Sequence, residues 1–261
     1  MQIPIYQVDA FADRRFAGNP AAVCPLDAWL PDGVMQAIAA ENNLSETAFF
    51  VPEGTGFRLR WFTPAVEVPL CGHATLGSAH VISSPLDPAR SAVRFETLSG
   101  PLTVRRDGDL LVMDFPANPP LPCATPTPLA EALGALPQRV SQTSKHYLAH
   151  FALAERVRSL TPDMAGLARL DRDGVIVTAP GMDGADFVSR FFAPKMGVAE
   201  DPVTGSAHCV LAPYWAKELG KTALVGRQVS ARGGTVRCRL LGERVELAGR
   251  AVPYMIGSIE V

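Results

Sequence analysis

The chain has 261 residues and 48% hydrophobic content, enough for one large domain or two smaller ones, each with its own core. Its 24 Lys and Arg against 26 Asp and Glu give a net charge of −2, without the basic excess that binds nucleic acid or anionic membranes. The five cysteines have no C-x-x-C spacing, the N-terminus does not resemble a signal peptide, and no long apolar run is present. These features predict a soluble, cytoplasmic protein. Its expected partner is a small molecule or another protein.

The first half of the chain predicts strands, then a buried helix, then hairpins. Residues 3–11 alternate like a strand, and residues 32–43 have helical spacing with Asp32 as a candidate cap. After Gly72, residues 73–83 are apolar on all sides, which predicts a helix buried all round. The other predicted strands are 46–51, 57–62, 92–97, 101–106 and 110–115, the last two joined by a turn at Asp107-Gly108.

The second half of the chain predicts the same order of elements. Its helices are predicted at 128–136 and at 203–220, the latter closed by Gly220. Its strands are predicted at 174–180, 186–194, 228–233, 235–242 and 244–249, followed by a final strand at 251–261. The proline-rich stretch 115–128 has the composition of a linker between the halves.

Short sequence matches also indicate a duplication. Phe62-Thr63-Pro64 is followed 130 residues later by Phe192-Ala193-Pro194, and the letters GSAH occur at 77–80 and again at 205–208. The predicted fold class is therefore α+β, with two pseudo-symmetric lobes, each a mixed β-sheet rolled around a central helix. We place the first lobe at residues 1–116, joined by the C-terminal strand 250–261, and the second lobe at 117–250. The two GSAH turns are expected to form anion-holding helix N-termini that face one cleft.

Four ordered motifs carry a family resemblance: GNPAAV at 18–23, SETAFF at 45–50, CGHAT at 71–75 and EDPVTGSAH at 200–208. Together they resemble the PhzF-like family of phenazine-biosynthesis isomerases, which is related in fold to diaminopimelate epimerase. The resemblance implies a diaminopimelate epimerase-like fold, an active site between two lobes, proton transfer without a cofactor, and a homodimer.

The resemblance also implies roles for residues within these motifs. Glu46 matches the family's proton-transfer carboxylate, and His73 and Asp201 match its other catalytic positions. The positions expected to contact substrate are Asn19, Ser45, Gly72, Thr204, Gly205 and Ser206. No metal is expected, because Cys71, His73 and Asp201 lack a recognised ligand spacing.

The residue types fit such chemistry on their own. Glu46 begins an apolar strand, where burial is expected to raise its pKa so that it both takes and gives a proton. His73 at a predicted helix start either binds a carboxylate, relays a proton or caps the helix. Asp201 before Pro202 is either an ordinary helix-start residue or a ligand for a substrate ammonium or hydroxyl.

Three functions are therefore open at this point. The first is a cofactor-independent isomerase that moves a proton in a small carboxylated metabolite, with the active site between the lobes. The second is an amino-acid racemase or epimerase that uses Cys71 and a carboxylate, although the second lobe offers Asp201 where the epimerases have a second cysteine. The third is a non-catalytic ligand-binding or interaction module.

Overall fold

The computed structural model describes residues 1–261, which form eighteen strands and six α-helices. The strands are β1 Gln2–Ala10, β2 Asn19–Pro25, β3 Glu46–Glu53, β4 Gly56–Phe62, β5 Glu67–Val68, β6 Ala92–Glu96, β7 Leu102–Asp107, β8 Leu110–Pro116, β9 Leu121–Cys123, β10 Arg139–Gln142, β11 His146–His150, β12 Gly174–Pro180, β13 Phe187–Ala193, β14 Val198–Asp201, β15 Ala223–Gln228, β16 Gly234–Leu241, β17 Arg244–Gly249 and β18 Ala251–Glu260. The helices are α1 Asp32–Asn42, α2 Gly72–Val81, α3 Thr127–Leu133, α4 Ala154–Ser159, α5 Met164–Ala168 and α6 Gly205–Leu219.

The chain divides into two compact units, residues 1–114 with 248–261, and residues 115–247. The structure contains no helix whose length and apolar character would let it cross a membrane.

The first unit is a mixed sheet. The strand β18 pairs antiparallel with β1, which pairs antiparallel with β2. The strand β2 then runs parallel to β3, β3 antiparallel to β4, and β4 parallel to β6. Antiparallel pairing continues from β6 to β7 and from β7 to β8. The predicted final strand is therefore part of this unit.

The second unit repeats this pattern of strand directions. The strand β9 pairs antiparallel with β10, and β10 antiparallel with β11. The strand β11 runs parallel to β12, β12 antiparallel to β13, β13 parallel to β15, and β15 antiparallel to β16. Each unit also has a short strand just before its buried helix. This strand is β5, between β4 and α2, in the first unit, and β14, between β13 and α6, in the second. The predicted pseudo-symmetric α+β fold is confirmed.

The helix α2 is buried on nearly all sides, as the small and apolar residues around it predict. The helix lies directly on the sheet, since a Cβ placed on Gly77 would be in ordinary van der Waals contact with the side chains of Val8 and Val23, at 3.7 Å. The other face of the sheet packs on α1 through a core that includes Met35, Ile38 and strand residues such as Phe49.

In the second unit, α6 takes the place of α2. The indole of Trp215 stacks on Phe187 with ring centroids 5.8 Å apart, and its Nε1 donates to Oγ1 of Thr178. Pro213 lies inside α6 and has no N–H to donate to Cys209, four residues earlier. The amide of Asn118 donates to that carbonyl at 2.9 Å instead, so the helix continues to its predicted end at Gly220, which is left-handed with φ 66°.

The repeated letters GSAH do not occupy equivalent places, contrary to the prediction. In α6 they form the first turn, 205–208, whereas in α2 they lie near the end, 77–80. The first turn of α2 is GHAT, residues 72–75. The fold is duplicated, but the two GSAH segments are not structurally equivalent positions in the two units.

Three local predictions are also wrong. Asp32 does not cap α1; its carboxylate instead accepts from Nη1 of Arg60 at 2.8 Å. Of the strand predicted at 228–233, only Gln228 is in a strand, because the chain turns through Gly233 at φ 66°. The proline-rich stretch is not only a linker, since Leu121–Cys123 forms β9 and pairs with β10.

Substitution of Gly18 tests how closely the turn before β2 is packed against neighbouring main chain. Gly18 has φ 67°, and an added Cβ would lie 2.2 Å from the carbonyl oxygen of Ala10. We expect Gly18→Ala to lower the free energy of unfolding by about 3 kcal/mol or more, because backbone strain and overlap add. Gly54 is the matched control, since it has φ 59° with open space around it, and Gly54→Ala should cost only about 1–2 kcal/mol. Urea unfolding measures both, and equal losses would contradict the close-packing explanation.

Candidate active site

Two sheet strands and one helix start bring the predicted residues of the first unit together. Glu46 is the first residue of β3 and lies beside Ala21 of β2, while Asn19 begins β2. His73 is the second residue of α2, immediately after Gly72, and Cys71 is the residue that precedes the helix. Alternation along β3 turns Glu46 toward the α2 face, whereas Phe49 packs on the opposite, α1 face.

The centre of this site is a buried carboxylate–histidine pair. Nε2 of His73 lies 3.1 Å from Oε2 of Glu46, and the two side chains are 7% and 18% exposed. Nδ1 of His73 lies 3.2 Å from Nδ2 of Asn19 and 3.5 Å from Sγ of Cys71. The alternative that His73 caps α2 is wrong, because its side chain makes no cap hydrogen bond and contacts Glu46 instead.

The pair is held as two opposite charges. Burial alone raises the pKa of Glu46, but the charge of His73 and the neighbouring Cys71 thiol outweigh burial, so that the pKa is lowered. Burial likewise lowers the pKa of His73, yet its contacts with Cys71 and Glu46 raise it well above the usual value. The prediction that the pKa of Glu46 is raised is therefore wrong, because it considered the apolar strand and not the histidine. Glu46 is ionised at neutral pH.

One oxygen of Glu46 remains available as an acceptor. Oε2 is buried and, despite its closeness to His73, accepts no well-aligned hydrogen bond. A buried acceptor without an aligned donor is costly, and the cost falls when a proton or a donor reaches it. The arrangement is therefore suited to accept a proton at Oε2.

Cys71 is not poised as a nucleophile or base. Its side chain is buried, and burial together with the charge of Glu46 raises its pKa to about 11. The thiolate is the reactive form of cysteine, so the thiol is inert near neutral pH in the resting protein. This finding weighs against the racemase alternative, which needs Cys71 as an acid–base group.

The cluster of Glu46, Cys71 and His73 also has the donor types of a zinc site, with its donor atoms within 4.8 Å of one another. Its geometry does not fit one ion. The carboxylate lies at Nε2 of the imidazole, whereas the sulfur lies closer to Nδ1, at 3.5 Å against 4.0 Å from Nε2. A ring nitrogen binds an ion along its own lone pair, so an ion on Nε2 beside the carboxylate would not lie at the nitrogen nearest to the sulfur.

In the second unit, Asp201 and Thr204 form a separate polar network. Asp201 ends β14, and its carboxylate accepts from the hydroxyl of Thr204, the residue that precedes α6. Gln228 braces both residues, because its Nε2 donates to the carbonyl of Asp201 and its Oε1 accepts from the amide of Thr204. Gln228 was not predicted, since a single glutamine 24 residues away from Thr204 has no local motif.

The remaining predicted residues lie at element boundaries. Ser45 is half-buried and directly precedes β3, and Gly72 is the half-buried first residue of α2. Gly205 and Ser206 are the first two residues of α6, and Ser206 is exposed. Asn19, also expected to contact substrate, is fully buried, and its side-chain amide contacts His73.

The two mixed sheets, each with a buried helix, form a duplicated fold of the diaminopimelate epimerase-like type. Comparison with known proteins agrees. The family model described as phenazine biosynthesis-like protein matches residues 8–257. A Pseudomonas aeruginosa protein named an uncharacterized isomerase is 56% identical over 261 residues, 100% of both chains. The chain belongs to the phenazine biosynthesis-like (PhzF) family and is an isomerase.

Solved structures show the same fold. The crystal structure of a PhzF-family protein from Enterococcus faecalis superimposes with a TM-score of 0.97 at 45% identity and covers 100% of both chains. A hydroxyproline epimerase from Agrobacterium vitis has a TM-score of 0.64 at 11% identity, covering 99% of this chain and 92% of that one. At this identity the second likeness concerns the fold alone.

The contribution of Cys71 to Glu46 gives a test that needs no substrate. Cys71→Ala removes the thiol that helps to lower the pKa of Glu46, so we expect that pKa to rise. Cys71→Ser keeps a short donor at the same place and should leave the pKa closer to the wild-type value. Carbon-13 NMR titration of the glutamate carboxyls measures both, with Glu46→Gln for assignment. A rise of the same size in both variants, or none in either, would contradict the role given to the thiol.

Proposed function

We propose that the protein is a cofactor-independent isomerase that moves a proton within a small carboxylated metabolite. Glu46 removes a proton from carbon, the electron pair of that C–H bond shifts into the substrate as an enolate-like anion, and the protonated Glu46 returns the proton to a different carbon. Bond order moves and the substrate composition is unchanged. The observation that carries the proposal is Oε2 of Glu46, which is buried, ionised and without an aligned hydrogen bond beside His73.

The start of α2 supports the charge that develops in this reaction. The N–H groups of Gly72 and His73 at its first turn and the positive end of its dipole favour an anion at this place. His73 adds a positive charge in the same turn. These fixed charges stabilise an enolate more than a neutral substrate, which is what raises the rate.

Asp201, Thr204, Gly205 and Ser206 belong to the proposal as substrate-binding groups. The support is the bracing of Asp201 by Gln228, which holds the main chain before α6 in one conformation. Ser45 and Gly72 are assigned to substrate binding on the family resemblance, because they flank Glu46 and His73 in the chain.

Replacement of Glu46 by Gln tests the proton transfer. Glu46→Gln keeps the shape of the side chain and removes the base, so turnover should fall by about 10²–10⁴-fold while substrate binding changes little. The assay follows deuterium uptake from heavy water and double-bond migration by NMR in unsaturated or amino-substituted carboxylic acids. Glu53→Gln, at the exposed end of the same strand, is the control and should keep full activity.

Asp201→Asn provides a contrast in the same assay. It should weaken substrate binding as well as turnover, because Asp201 is proposed to orient the substrate. Deuterium uptake accompanied by inversion at one carbon, rather than by bond migration, would replace the isomerase proposal with an epimerase. Full turnover in Glu46→Gln on a confirmed substrate would end both.

We also propose that the protein is a homodimer, as the family resemblance implies. The strand β18 supports this, because residues 251–259 contain no charged side chain and many are exposed. Tyr254, Met255 and Ile256 are 47%, 40% and 65% exposed, so this strand carries exposed apolar side chains on both faces. Monomeric proteins usually place charges on such strands, so a covering partner is expected.

Sedimentation velocity tests the dimer. The wild-type protein should sediment as a dimer, and Ile256→Asp should shift it to a monomer because a charge would be buried against the partner. Leu98→Asp is the control, since Leu98 is 72% exposed in a turn elsewhere and should leave the dimer intact. A wild-type monomer, or equal dissociation by both variants, would refute the assignment.

A further inference from the structure

The two ring nitrogens of His73 have different partners. Nε2 faces Oε2 of Glu46 at 3.1 Å, and Nδ1 faces the side-chain amide of Asn19 at 3.2 Å. Asn19 is completely buried, so no solvent competes for this contact. A primary amide carries both a donor and an acceptor, and rotation by half a turn exchanges them.

The backbone holds Asn19 in this place. Asn19 pairs with Ala10 at the end of the β1–β2 ladder. The preceding Gly18 takes a left-handed conformation that leaves no room for a Cβ, and the following Pro20 fixes its own φ. The amide is therefore presented to His73 by rigid main chain, and rotation about its side-chain torsions is what exchanges its donor and its acceptor.

We propose that Asn19 is a positioning residue that matches His73 in both of its protonation states. With its N–H toward the ring, the amide donates to Nδ1 of the neutral imidazole, and the ring proton stays on Nε2 toward Glu46. After half a turn, the amide oxygen accepts the Nδ1–H of the imidazolium. The buried Nδ1 is thus paired in either state, and the charge beside Glu46 can change without leaving this ring nitrogen unpaired.

The other charged groups near α2 are engaged elsewhere. The only titratable groups within contact of His73 are Glu46 and Cys71, whose sulfur lies 3.5 Å from Nδ1. Charged groups on the strands that pack against α2 make other contacts. Asp9 of β1 accepts a hydrogen bond from the backbone amide of Phe16, and Glu260 of β18 accepts one from Gln2. Arg106 of β7 donates to the carbonyl of Ser83, and His80 lies near Arg106 at the far end of α2. Besides burial, the groups that set the titration of His73 are therefore Glu46, Cys71 and, as proposed, Asn19.

Two substitutions of similar shape separate this role from simple packing. Asn19→Asp offers only acceptors when ionised, which favours the imidazolium and moves the titration of His73 to higher pH. Asn19→Leu offers neither donor nor acceptor, leaves Nδ1–H unpaired and moves the titration to lower pH. We expect the two variants to differ by about one pH unit or more. A packing role would shift both in the same direction or neither.

Nitrogen-15 NMR of the histidine side chains measures these titrations in the resting protein. His73→Gln assigns the signal, and His150 serves as an internal reference because Tyr214, not Asn19, contacts its ring.

The wild-type protein gives a readout if the variants do not fold. Above the titration of His73, the neutral ring should carry its proton on Nε2, with Nδ1 bare. A proton on Nδ1 in that state, or titrations of Asn19→Asp and Asn19→Leu that move together, would overturn the proposal.

The inference rests on the proposed function only for its effect on turnover. If Glu46→Gln kept full activity while the two titrations diverged, the proposed function would fail and the role of Asn19 would stand.

Discussion

The burial of a carboxylate against a histidine is the constraint on which the rest of the first unit depends. An unpaired charge at such a site costs several kcal/mol, on the order of 3–5 when one partner of a buried pair is removed. Glu46 and His73 come from a strand and a helix, so both elements must be held to within a fraction of an ångström. The apolar, small-residue surface of α2 provides this, because it packs closely against the sheet on all sides.

The duplicated fold gives two similar helix starts with different chemistry. Cys71 precedes α2 and Thr204 precedes α6, and both have extended backbone conformations. In each first turn a side chain four residues on contacts the carbonyl of that residue, Thr75 in one unit and His208 in the other. Both units therefore share the same backbone conformation at the start of the buried helix. The carboxylate–histidine pair is particular to the first, and the aspartate–threonine–glutamine network to the second.

The sequence was informative where one pattern determined the structure. The all-apolar helix α2 and alternating strands such as β1 and β16 follow from burial and period, and the motifs identified Glu46, His73 and Asn19. Strands such as β2 and β11 were not predicted, because Ala- and Pro-rich or uniformly buried segments lack alternation and owe their pairing to neighbours. The direction of the Glu46 pKa and the part played by Gln228 depend on contacts between distant residues, which a single sequence does not display.

A carboxylate with a lowered pKa is at first sight a weak base for a carbon acid. Under the proposed reaction, however, the negative charge does not disappear when Glu46 takes the proton, since it passes to the substrate as an enolate-like anion. His73 and the start of α2 then attract that anion in place of the carboxylate, so the buried positive charge keeps a partner throughout. A purely apolar pocket would make Glu46 more basic but would leave the enolate without a counter-charge. His73 therefore lowers the basicity of Glu46 before the reaction but stabilises the enolate-like anion that proton transfer forms. Stabilisation of that anion is what lowers the barrier to the reaction.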